Sequence, residues 1–167
     1  GIETGMYGIG GTVRILGGTV KAEGGRETGA GIGGGDNGAV DSIQIGEKNG
    51  EAPEVEASSY NVQYGAAIGS GRNAQLNLKL SCGTINIFSG NLKVKGNIGY
   101  GGIDKNGDNK QIGGSVDISE QVKLELTDGT IEPRGTTCTF GKKAFQMTVY
   151  DNQLSDGTYS VKIRFYQ

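Results

Sequence analysis

Three tyrosines stand at places where their side chains can do chemistry. Tyr7, Tyr64 and Tyr100 each directly precede a glycine-rich corner. Rings repeated at one place along a stack of coils form a platform for sugar rings, which present apolar faces with a polar rim. The same spacing also makes an internal aromatic ladder that packs coil on coil. The glycine after each tyrosine, which lets a neighbour approach, favours the ladder. A second group is Asp104-Lys105-Asn106-Gly107-Asp108-Asn109. Oxygen ligands at Asp104, Asn106 and Asp108 suit Ca²⁺, a hard cation. However, Asn109 stands where an EF-hand loop needs glycine, and Ser115 where it needs a bidentate glutamate. Asp/Asn/Gly clusters are more often turns. Calcium is the one cofactor the sequence raises, with a weaker echo at Asp36-Asn37-Gly38, and no other is expected.

Acid catalysis is harder to build. Glycoside hydrolysis needs two carboxyl groups facing one another across a cleft. Glu54, Glu56, Asp117 and Glu125 each alternate with apolar residues, the pattern of a solvated strand face. The chain has no histidine, so Cys82 and Cys138 lack the usual base or second ligand. Both are expected as buried free thiols, with a disulfide between them as the alternative. The run Gly31-Ile32-Gly33-Gly34-Gly35 suggests a phosphate cradle only where a helix follows, and here strands follow. No catalytic residue is assigned.

The composition narrows the rest. Glycine contributes 33 residues and proline only 2, which excludes collagen and proline-rich disorder. A formal charge of −2 argues against nucleic acid as a partner. No stretch approaches the roughly 18 apolar residues of a membrane span. The chain opens on Gly1 rather than methionine, as after removal of a tag, so an export signal or further domains are expected to have been cut away.

These residues must be positioned by strands. Val13 to Gly25 aligns without gaps on Ile85 to Asn97, placing Val13 on Ile85, Ile15 on Ile87, Val20 on Leu92 and Ala22 on Val94. Two further pairs follow the pattern, Ile43/Ile45 with Val55/Ala57 and Val116/Ile118 with Leu124/Leu126. Period-two alternation without a 3.6 period predicts strands and almost no helix. Glycine-rich corners begin at 7, 28, 64 and 100, the last two intervals both 36 residues. The loops at 36–42, 72–84 and 104–114 are unequal, and Leu76/Leu78/Leu80 predicts a strand inside the second. From Ile131 the pattern gives way to Phe145/Met147/Val149, a Ser155-Asp156-Gly157 turn and Tyr159/Val161/Ile163/Phe165. That predicts an antiparallel hairpin closing the solenoid, or the start of a following β module.

Gly31 to Gly35, followed by I-x-I, a glycine bend, V-x-A and a second Gly-Gly, resembles the glycine-rich repeats of bacterial cell-surface proteins (GAGIGGG…G-x-I-x-I-x-GG-x-V-x-A-x-GG). The similarity covers about residues 5–130 and weakens along the chain, with Ser70 interrupting one corner and Asp104 another. It implies an all-β fold, a short right-handed parallel β-helix (solenoid) of about four irregular coils over 1–130; the C-terminal antiparallel hairpin cap over 131–167 lies outside the resemblance and rests on its own alternation. It implies an extracellular or cell-surface location and a non-catalytic, structural or adhesive module contacting carbohydrate or a surface protein. The alternatives are a fragment of a β-helical polysaccharide lyase or hydrolase, and a ligand-free spacer. Oligomeric state is not legible.

Overall fold

The computed structural model describes residues 1–26, 28–75, 78–102, 110–133, 147–153 and 159–165, the last two stretches through their backbone pairing. The chain is all-β, a parallel β-solenoid of about four turns, and no helix occurs among the described residues. Coil one carries β1 (Ile2–Glu3), β2 (Thr12–Ile15) and β3 (Thr19–Glu23). Coil two carries β4 (Ile32–Gly33), β5 (Ser42–Ile45) and β6 (Glu54–Ser58). Coil three carries β7 (Ile68–Gly69), β8 (Lys79–Leu80), β9 (Thr84–Ile87) and β10 (Gly90–Lys95). Coil four carries β11 (Ile98–Gly99), β12 (Lys110–Gln111), β13 (Ser115–Ile118) and β14 (Val122–Thr127). β15 (Ile131–Glu132) and the hairpin β16 (Met147–Gln153) and β17 (Tyr159–Phe165) follow.

Three parallel sheets wall the solenoid. The first runs β1-β4-β7-β11-β15 and the second β2-β5-β9-β13. In the third, β3-β6-β10-β14 is extended by β17 and β16, which are antiparallel. β8 and β12 form a small fourth pair. The gapless alignment read from the sequence is the actual register. Val13, Ile43, Ile85 and Val116 share one column, and Ile15, Ile45, Ile87 and Ile118 the next. Val20, Val55, Leu92 and Leu124 form a third, and Ala22, Ala57, Val94 and Leu126 a fourth. β-Branched residues dominate because they fit a pleated, half-buried surface. Stacked on like neighbours from coil to coil, they fill one continuous core. Each inward residue alternates with an outward polar one, so the same pattern that makes the core writes the surface.

The corners differ from the sequence reading. Ile2, Ile32, Ile68, Ile98 and Ile131 stack in the first sheet, so successive coils span 30, 36, 30 and 33 residues. The corners at Thr28 and Tyr64 are equivalent, as expected. Tyr100 instead follows its ladder strand, Ile98–Gly99, and does not precede one. A strand of only two residues leaves almost no alternation to read, and the glycine pair at 101–102 has the same composition as a corner. The ladder also continues through Ile131–Glu132, beyond the point where the repeat fades in the sequence.

Gly33, Gly69 and Gly99 show why these corners need glycine. All have φ beyond +100°, and a Cβ on each would fall on a carbonyl oxygen of the next coil, that of Gly69, Gly99 and Glu132 respectively. In the loop 72–84 a strand stands at Lys79–Leu80, with Leu80 buried and the Leu78 amide closing a turn on Gln75; Leu76 lies outside the described residues. Cys82 is a buried free thiol, as read, and Cys138 lies outside the described residues.

Candidate ligand-binding corner

The three tyrosines occupy three different places on the coil and form no column. The Tyr7 amide donates to the Asp36 carbonyl at 2.8 Å, and the Asn37 amide to that of Arg72 at 2.9 Å. The stacked positions are therefore Tyr7, Asn37 and Asn73. Tyr7 and Asn37 share a left-handed backbone, φ 58° and 53°. Tyr7 is 55% exposed on the first coil. Tyr100 is half-buried against the core, and its hydroxyl donates to the Gly113 carbonyl at 2.6 Å. Burial, with the Cys82 and Glu132 charges adding, pushes its phenol above the usual range. It is a half-buried strut between the core and the Gly113 turn.

Tyr64 has different surroundings. It ends the turn that starts at Asn61, whose side-chain oxygen accepts the Gln63 amide at 3.0 Å and whose carbonyl accepts that of Tyr64 at 3.0 Å. The Arg72 guanidinium lies over the Tyr64 ring, 5.5 Å from its centroid. The same guanidinium grips Asp36 in a fork: Nε donates to Oδ1 at 3.1 Å and Nη2 to Oδ2 at 3.2 Å. Glycine makes the approach feasible, because a Cβ on Gly71 would fall on the Gly35 carbonyl and push the two coils apart. Both partners are largely shielded, with side-chain exposures of 24% and 16%. Coil two thus supplies the acid, coil three the base, and the turn ahead of coil three the ring. Tyr60, just ahead of that turn, is 58% exposed.

Behind this surface the coils are stitched by side-chain amides. Asn37 Oδ1 accepts the amides of Ala74 at 2.7 Å and Gln75 at 3.0 Å. Asn73 Nδ2 donates to the carbonyls of Leu78 at 2.7 Å and Lys110 at 2.8 Å. Gln111 Nε2 donates to Gly71 at 3.1 Å, and its Oε1 accepts the Ser70 hydroxyl at 2.9 Å. These amides hydrogen-bond backbone groups of the loops around them. Sequence reading missed them, since a lone Asn or Gln in a loop carries no period. Two asparagines spaced at 36 residues, in step with the corners at 28 and 64, were the available signal.

The other candidates separate cleanly. Asp104, Asn106 and Asp108 lie outside the described residues. Asp36 spends both oxygens on Arg72 and Asn37 its oxygen on two amides. Glu54, Glu56 and Asp117 are exposed and Glu125 half-exposed on flat strand faces. Glu56 and Glu125 lie two strands apart, about 10 Å, with Lys93 in register between them. The Tyr64 ring, the guanidinium over it and the carboxylate that grips the guanidinium form one pre-ordered polar unit at this corner. Compared with known proteins, the chain matches no family model, no curated protein and no solved structure.

Proposed function

We propose that this chain is a non-catalytic surface module of an extracellular bacterial protein: a rigid solenoid that presents the Tyr64–Arg72–Asp36 corner to carbohydrate. The observation that carries this reading is the locked guanidinium. Arg72 is held on both sides, by Asp36 through two hydrogen bonds and by the Tyr64 ring, so the group loses little freedom when a ligand arrives. Support for a scaffold role comes from the glycines. The most unusual feature of the composition serves close coil stacking, as at Gly33, Gly69 and Gly99, which makes a stiff support for loops of unequal length.

The test is a glycan array read with the intact protein, Tyr64→Ala and Arg72→Lys. Binding by the intact protein that drops at least tenfold in both variants is the expected result. Arg72→Lys keeps the charge and removes the fork. Binding unchanged in both variants removes this corner from the reading. Release of reducing ends or unsaturated sugars from a polysaccharide panel would overturn the non-catalytic assignment.

A further inference from the structure

The outward faces of the two long sheets carry different chemistry. On the third sheet Lys21, Glu56, Lys93 and Glu125 stand in register, so the sign of charge alternates from strand to strand. On the second, the alternation that sends Ile43, Ile45, Ile85 and Ile87 into the core turns two polar columns outward. Thr12, Ser42, Thr84 and Ser115 make a column of hydroxyls. Arg14, Gln44, Asn86 and Asp117 make the other, its charges confined to the outer strands β2 and β13. The centre of the face, on β5 and β9, is polar and uncharged.

Neighbouring strands place like groups about 4.8 Å apart, and the two columns lie about 7 Å apart along each strand. Some of these groups are already ordered. The Ser42 hydroxyl donates to that of Thr12 at 3.1 Å, and Gln44 Nε2 donates to the Gly46 carbonyl at 3.0 Å. One outward position further, Phe88 stands half-buried at the rim. Its amide donates to the Ile45 carbonyl at 2.8 Å, which sets it beside Gly46. On its other side Ser119 donates its hydroxyl to the Phe88 carbonyl. The ring thus has small residues on both sides of it in its own column.

The charge of this face selects its partner. A polyanion finds no basic residue on β5 or β9, and Arg14 already faces Glu47 at 3.8 Å. A protein partner finds no apolar patch in the two columns, which the centre of a protein interface needs. The complementary ligand is itself uncharged, exchanges hydrogen bonds through hydroxyls and repeats along a line. A pyranose in an extended chain advances by nearly one strand spacing, and its apolar face stacks on an aromatic ring. We propose that a neutral, linear polysaccharide lies along the second sheet, parallel to the solenoid axis. Its hydroxyls meet Ser42, Gln44, Thr84 and Asn86, and one sugar ring packs on Phe88. The four strands span about 14 Å, room for about three to four sugars. This second surface extends the carbohydrate reading and does not require the Tyr64–Arg72–Asp36 corner. A flat face binds weakly, so it is read by titration at millimolar ligand.

Amide chemical shifts of the ¹⁵N-labelled 167-residue protein locate the ligand. The probes are β-1,4-linked hexasaccharides of glucose, mannose and xylose, the matching disaccharides, and an oligogalacturonate as the charged chain of similar length. The expected result is that at least one neutral hexasaccharide shifts the side-chain amides of Gln44 and Asn86 and the backbone of β5 and β9. Its disaccharide should bind roughly tenfold more weakly, and the galacturonate should leave this face unmoved. Thr84→Lys puts a long charged side chain in the middle of the face, outside the core, so the far-UV spectrum should stay unchanged while affinity falls roughly tenfold. Thr84→Ser keeps the hydroxyl and should bind within about threefold of the original. The shifts on β5 and β9 should persist in Tyr64→Ala, which separates this face from the corner. Shifts confined to the surroundings of Tyr64 and Arg72 overturn the inference and leave the corner standing. No shift on the second sheet with any neutral hexasaccharide also overturns it. So do equal affinities for the two chain lengths, a preference for the galacturonate, or a Thr84→Lys protein that binds as before.

Discussion

Gly69→Ala isolates what the glycine corners do. Gly69 has φ +141°, and a methyl there would land on the Gly99 carbonyl oxygen of the next coil. That carbonyl accepts the Ser70 amide at 3.0 Å, so it cannot swing away without losing a bond that stitches coil three to coil four. Two costs add. Holding a non-glycine residue in this part of backbone space costs about 1–3 kcal/mol. Forcing packed groups apart costs about 1–3 kcal/mol more. The sum, about 2–6 kcal/mol, is a large fraction of the stability of a domain of this size, about 5–15 kcal/mol. Gly18→Ala is the control. Gly18 also has a positive φ, +74°, but a Cβ there meets nothing within 4 Å, so only backbone strain of about 1–2 kcal/mol applies. Urea unfolding followed by far-UV circular dichroism, with the slope m held common, gives both values. If Gly69→Ala costs no more than Gly18→Ala, close coil stacking is not what fixes glycine at the corner.

Other outcomes follow from the outward and buried groups. Lys93→Glu puts an acid between Glu56 and Glu125 and should destabilise the protein by about 1 kcal/mol at low salt; the loss should shrink in 1 M NaCl. Burial pushes the Cys82 thiol up to about 11 from the usual 9.0. Between those values the unfolded chain releases the proton while the folded chain keeps it, so stability falls as pH rises from about 9 to 11, by at most about 2–3 kcal/mol. Tyr100 is raised in the same direction, so the slope in chemical denaturation should flatten in Cys82→Ala and further in Cys82→Ala/Tyr100→Phe. Arg72→Ala leaves Asp36, a shielded carboxylate, without its fork and should lower the midpoint of urea unfolding by more than Asp36→Asn/Arg72→Ala does.

The long strands were legible because their information is local. Ile85 and Ile87, then Leu92 and Val94, flank a Ser-Gly bend, and the same spacing at Val13 to Ala22 sets the register of both flanking sheets. The first sheet was not legible. Its strands are two residues long, and nothing in Ile98–Gly99 alone distinguishes it from the glycines that follow. Tyr64 and Tyr100 therefore look equivalent at 36 residues apart while coil three is 30 residues long on that face, and Tyr7 stands separately over Asn37. Arg72 on Asp36 was hidden for the same reason: each sits in a turn with no period of its own. The charge order from Lys21 to Glu125 becomes visible only once coils of unequal length are aligned, because Lys21, Glu56, Lys93 and Glu125 are irregularly spaced in sequence.

Coil lengths of 30, 36, 30 and 33 residues also decide the order in which the chain can fold. Every parallel contact joins residues about one coil apart, so each requires closure of a loop of that size before any strand pairing rewards it. β16 and β17 are joined by only a few residues and pair antiparallel; this is the one long pairing among the described strands that can form locally. Once β17 holds β14, each remaining coil has an edge to zip onto, and the closure cost stays nearly constant from turn to turn. Protection should then spread in pulsed hydrogen exchange from β14 towards β3. Simultaneous protection of all four coils would instead mean that the solenoid collapses first and finds its register afterwards.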